Sequence, residues 1–178
     1  LYEVGLLQCI THPVLGVSPD GMVMMNGELP YDGEIGCVEI KTRVKPTTIA
    51  RAEAARQKCG KLVWCTVDDP TYLKCVPKEN RTQVLHQAAI TNSLVGMFVT
   101  AKIEDNRGSI VQIVNILFPA PTRHAYINVI TKVAEPLLGW YLDRDIIGQG
   151  FIEDGDFPEW TEASTREILK TCAKLLYA

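Results

Sequence analysis

Two carboxylates and one ammonium, Asp20, Glu39 and Lys41, are the side chains in this chain whose types and spacing could do chemistry together. In Val38-Glu39-Ile40-Lys41 charge alternates with apolar bulk. A strand sends successive side chains to opposite faces, so Glu39 and Lys41 project together while Ile40 turns back toward the core. That alternation alone also fits any half-exposed strand. The case grows with Asp20, held in Gly16-Val17-Ser18-Pro19-Asp20-Gly21, where Pro presets one turn dihedral and Gly supplies the unusual one. The spacing lets Asp20 and Glu39 meet across adjacent strands. Two carboxylates converging with the Ile40 carbonyl suit a hard octahedral cation, magnesium with manganese as its substitute. Lys41 is no ligand for such an ion; its ammonium would orient an attacking water or offset charge building on a phosphate. The chemistry is phosphodiester hydrolysis. Ser18 has no His-acid relay nearby in sequence and shapes the turn.

The elements that must position these groups follow from periodicity. Strands are expected near 2–9, 14–18, 21–25 and 36–42, then a helix over 47–58 with alanines and charges in helical rhythm. A strand over 62–67 precedes a helix over 78–94. A hairpin of 96–103 and 110–118 turns at Glu104-Asp105-Asn106-Arg107-Gly108. Apolar residues Ile127, Ile130, Val133, Leu137, Leu138 and Tyr141 mark a helix over 122–142 that Pro136 is expected to kink. A loop over 148–160 and a last amphipathic helix over 162–177 complete an α/β reading. The mixed sheet, flanked by helices, carries the site. Residues 1–145 are expected to form the functional domain, with 146–178 packing back on it.

Three runs together, Glu3-Val4-Gly5, then Gly16-Val17-Ser18-Pro19-Asp20-Gly21-Met22-Val23, then Glu39-Ile40-Lys41, resemble the PD-(D/E)xK nuclease superfamily, and within it the YqaJ-type viral recombinase domain related to the phage lambda exonuclease. The resemblance covers roughly the first half of the chain. It implies a restriction-endonuclease-like core, metal ligation by Asp20 and Glu39, and Lys41 as the catalytic lysine. It also implies a helix reading Tyr-x-x-Gln-x-Gln, whose first glutamine falls on Gln83. Asn80 stands in place of the tyrosine, and Leu85 in place of the second glutamine, while Gln87 lies one turn beyond Gln83 on the same helix side. Relatives carry another acid on a helix before the first strand, whereas this chain opens almost directly on a strand. It reads as a piece lacking that helix; Glu3, whose matching family position is on the strand, is a poor substitute for that acid, and Glu28 and Glu34 are reserve acids. The implied activity is a magnesium-dependent 5′–3′ exonuclease on linear duplex DNA serving recombination. A nuclease-fold binding module without turnover and a structure-specific endonuclease stay open beside it. Implied partners are DNA, a single-strand annealing protein and further copies of the chain, with a viral or mobile-element origin.

Length and composition bound these readings. A chain of 178 residues, 47% hydrophobic, fits one domain with a real core. No signal peptide and no apolar span of membrane length is visible in the sequence, so no membrane partner and an intracellular setting are expected, with nucleus and cytoplasm both open. Six cysteines include no Cys-x-x-Cys pair, and most read as buried small hydrophobes in a reducing compartment. His12, His86 and His124 are isolated from one another and read as core-edge or surface residues. The formal charge of -3 decides nothing about nucleic acid, but its distribution does. After the Glu39 strand, Arg43, Lys45, Arg51, Arg56, Lys58 and Lys61 face only Glu53, which would draw a phosphate backbone. The stretch 143–167 is rich in acids and would repel it. Binding is therefore expected on one side.

Overall fold

The computed structural model describes residues 2–13, 15–26 and 33–143. The sequence expectations over 146–178, and nearly all of the acidic stretch, lie outside the described residues. So does reserve acid Glu28.

The described chain is α/β, with a five-stranded mixed sheet flanked by helices. Its strands are β3 (Gly21–Met24), β4 (Ile35–Arg43), β5 (Leu62–Thr66), β6 (Val95–Glu104) and β7 (Arg107–Leu117), in spatial order β3-β4-β6-β7-β5. Antiparallel pairing of β3 with β4 and of β6 with β7 alternates with parallel pairing of β4 with β6 and of β7 with β5. Short loops suffice for the antiparallel neighbours, while each parallel pair needs a helical crossover. The β6–β7 turn places Asp105 and Asn106 at φ 50° and 60°, the left-handed pair that a tight hairpin demands and that Asp and Asn tolerate best among residues with side chains.

Among the described residues four helices make the crossovers and the flanks. Pro46, whose missing N–H costs nothing in the first turn, opens α1 (Pro46–Cys59), and Gly60 at φ 98° ends it. A short helix, α2 (Pro70–Cys75), was absent from the sequence expectations. Its signal was local: Asp69 accepts a hydrogen bond from the Thr71 N–H at 2.7 Å, with Pro70 in the first turn. The third helix, α3 (Lys78–Ile90), stops four residues before the expected 94, because Asn92 turns left-handed at φ 53° and Ser93 N–H returns to the Ala88 carbonyl. Last comes α4 (Ala120–Asp143), which stays helical through Pro136.

At the N-terminus the expected strand over 2–9 is mostly irregular. Tyr2 exchanges both backbone hydrogen bonds with Met22, and only β1 (Leu7–Gln8) is strand, paired antiparallel with the two-residue β2 (Gly16–Val17). Gly5 between them has no side chain to hold an extended run.

Phe98, Phe118, Val84, Leu85, Val114 and Ile116 are almost wholly buried and form the centre of the core between α3 and the sheet. Gly96 sets how closely they approach: a Cβ there would lie 2.8 Å from Val84 Cγ1 and 2.7 Å from Phe118 Cε2. Cys9, Cys37 and Cys65 are buried free thiols, as the composition suggested. Cys59 and Cys75 depart from that expectation. They form a disulfide that ties the last turns of α1 and α2, with Cα atoms 6.2 Å apart. Among the described residues no helix is long and apolar enough to cross a membrane.

Candidate active site on the β4 strand

The turn expected to aim Asp20 does so. Pro19 is buried, and β3 begins at Gly21, paired with Val38 of β4. One step beyond this ladder, the Asp20 carboxylate takes over where a backbone carbonyl would sit. Its Oδ2 accepts the Ile40 N–H at 2.6 Å. An extended residue sends its N–H and C=O to the same edge, so the Ile40 carbonyl faces the Asp20 side of β4 as well.

Glu39 is the unusual member. It is 2% exposed, although a carboxylate so buried must be paired. Both of its oxygens are engaged. Lys41 ion-pairs with Oε1, and the Gln87 side-chain amide of α3 donates to Oε2. Lys41 keeps 28% of its side chain exposed and so connects the buried acid to solvent. Gln87 is itself 1% exposed, and its Oε1 has no hydrogen-bond partner among the described residues. The glutamine against the site is therefore Gln87; Gln83 is exposed, and no hydrogen bond among the described residues joins it to Glu39, Lys41 or Asp20. The buried residues of α3 include Asn80, Val84, Gln87 and Ala88, while Gln83, three after Asn80 and four before Gln87, stays exposed at the edge of that stripe. Burial separates the two glutamines where motif alignment favoured the other.

His86, expected as an isolated histidine, holds the site's walls together. Its Nε2 lies 3.1 Å from the Gly16 carbonyl of β2 and its Nδ1 3.1 Å from the Tyr126 hydroxyl of α4. With the carbonyl accepting, Nε2 carries the proton and Nδ1 accepts from the phenol. Thus α3, which supplies Gln87, is pinned to the strand that leads into the Asp20 turn. The neighbouring Cys37 thiol, two residues before Glu39 on the same face, is pushed up to about 12 by burial, which keeps it neutral and unreactive.

Around the acids the face stays polar. Lys41 pairs in the ladder with Thr100 of β6, and Thr100 with Gln112 of β7; both partners are buried. Next along, Arg43 pairs with Lys102, whose ammonium is held between Glu53 of α1 and Glu104. These two carboxylates raise the Lys102 pKa, first through the Glu104 hydrogen bond and then through Glu53. Glu53 is thereby spent on Lys102. Arg43, Lys45 and Arg51 are in no ion pair among the described residues, while Arg56 and Lys58 occupy the last turn of α1, where they favour its negative end. Glu3 and reserve acid Glu34 make no ion pair among the described residues, and no group of three or more His, Cys, Asp or Glu converges among those residues. Compared with known proteins, the chain matches no family model, no curated protein and no solved structure.

Proposed function

We propose that the protein is a magnesium-dependent DNA nuclease of the PD-(D/E)xK type, acting on linear duplex DNA as a 5′–3′ exonuclease. The observation that carries the reading is the buried Glu39 carboxylate paired with a partly exposed Lys41, one residue on either side of the backbone that anchors Asp20. Burying an ion pair is costly, and a purely structural strand would gain by replacing it with apolar residues. The mixed sheet flanked by helices is also the architecture that the resemblance implies.

Glu39, Asp20 and the Ile40 carbonyl offer only oxygen donors, a set that fits magnesium or manganese and not a thiophilic ion. The bound ion supplies the charge that acidifies water and polarises a phosphoryl oxygen. The chain's own residues do the rest. The Gln87 side-chain amide of α3, donating to Oε2, holds the Glu39 carboxylate in direction. Lys41, already at the solvent boundary, offsets negative charge as it builds on the phosphate oxygens and orients the water that attacks phosphorus. The P–O bond to the leaving oxygen breaks as the P–O bond to that water forms; the leaving oxygen keeps the bond's electron pair and takes a proton from solvent, and the attacking water gives its proton up to solvent.

A second reading, a nuclease-fold module that binds DNA without cutting, draws on the fact that Lys41 already satisfies Glu39. Incubation with linear and with closed circular DNA, in magnesium and in chelator, separates the readings. Magnesium-dependent loss of linear DNA alone supports the exonuclease, cutting of circles an endonuclease, and retention without cutting the module.

A further inference from the structure

We infer that a cavity beside the β4 site, between α1 and the strands β4, β6 and β7, is a phosphate-binding pocket that holds the phosphate group next to the reacting one. This rests on the nuclease reading for its ligand, but on the pocket's own geometry for its chemistry. The cavity is about 180 Å³ and is lined by Arg43, Arg51, Thr100 and Gln112, with Glu79 also on its wall. Ala52 and Ala55 of α1 face it too, so small side chains leave the space open.

Charge favours an anion there. Two guanidinium groups face one carboxylate, and neither arginine is in an ion pair among the described residues. The one acid of α1, Glu53, is already taken by Lys102. A guanidinium fork matches two oxygens of a phosphate at once, which a point-charge lysine does not. Position favours a phosphate in particular. Arg43 stands two residues beyond Lys41 on the same sheet face, a step of roughly 6.6 Å at the usual strand rise. Thr100 lies directly across the ladder from Lys41. A nucleic-acid strand with one phosphate at Lys41 therefore runs its neighbour into the arginine pair. That neighbour is either an internal diester or a terminal monoester.

The decisive probe is inorganic phosphate, titrated alone into the metal-free protein and followed by the side-chain N–H NMR signals of the arginines. Saturable shifts of Arg43 and Arg51 are expected; signals that stay put overturn the pocket. Binding of short duplexes in chelator then names the source. Arg43→Met and Arg51→Met should each weaken binding about tenfold, the equivalent of ~1.4 kcal/mol, with Lys132→Met at an exposed position of α4 as the control for simple loss of charge. A loss confined to 5′-phosphorylated duplex assigns the monoester, and an equal loss on 5′-hydroxyl duplex assigns the diester. In a protein that binds DNA, losses no larger than that of the control overturn the assignment. Uptake of inorganic phosphate without DNA binding or cleavage keeps the pocket and rejects the nuclease reading; cleavage with unmoved arginine signals does the reverse.

Discussion

At the residue scale, Lys41 and a divalent ion want the same oxygen. Glu39 Oε1 carries the ammonium, and two cations cannot share one buried oxygen without strong repulsion. Lys41→Met should therefore abolish cleavage while tightening Mn²⁺ binding, by about tenfold if the ammonium's repulsion costs ~1.4 kcal/mol at the site. Calorimetric titration of the variant measures this, and an unchanged or weakened affinity would show that the lysine does not occupy the ion's place. Much of this was legible in the primary structure. Alternation placed Glu39 with Lys41, and the Ser-Pro-Asp-Gly turn placed Asp20. The choice of glutamine was not legible, because Gln83 and Gln87 are one turn apart on the same side of the helix. Burial in the fold singles out Gln87.

At the element scale, α3 does two jobs: it carries Gln87 inward and, through His86, braces β2 against α4. The His86 and Tyr126 rings meet edge to face at 5.8 Å, so the brace has packing as well as polar contacts. His86→Phe keeps the ring and removes both hydrogen bonds. Stability should fall by about 1–2 kcal/mol, and Asp20, no longer held through its strand, should bind metal more weakly. Thermal unfolding and Mn²⁺ titration of the variant report the two effects separately; a stability loss with intact metal affinity would limit His86 to a structural role. Longer elements were readable because their periodicity was strong, as for β4, α1 and the β6–β7 hairpin. Shorter ones were read unevenly: β2 lies within the expected 14–18 and β3 within 21–25, while α2 was not expected. Helix α2 has too few turns to show a period and is declared only by its Asp69 cap, and the N-terminal run expected as one strand over 2–9 pairs only at Tyr2 and at β1 among the described residues.

At the scale of the whole molecule, buried thiols and the partition of charge set how the protein responds to its medium. Burial pushes Cys37 up to about 12 and Cys65 up to about 11 from an ordinary 9.0. Both stay protonated in the folded chain at a pH where the unfolded chain has already released those protons. The native state then holds more protons, so stability falls as pH rises above about 9, by about 1.4 kcal/mol per pH unit for each thiol until its folded pKa is reached. Urea unfolding between pH 8 and 10.5 should show this slope, and Cys65→Ala should remove about half of it. The Cys59–Cys75 bridge could not be seen from spacing, since pairing depends on how α1 and α2 pack. The charge partition was visible, but its division of labour was not. Glu53 proved to be spent on Lys102, which leaves Arg43 and Arg51 for the neighbouring cavity.

The most direct test of the account is magnesium-dependent release of nucleotides from linear duplex DNA by the wild type, beside Glu39→Gln and Lys41→Met variants shown to be folded. Release by the wild type that stops in chelator and in both variants is the predicted result. Release that persists in either variant, or that proceeds in chelator, would contradict it.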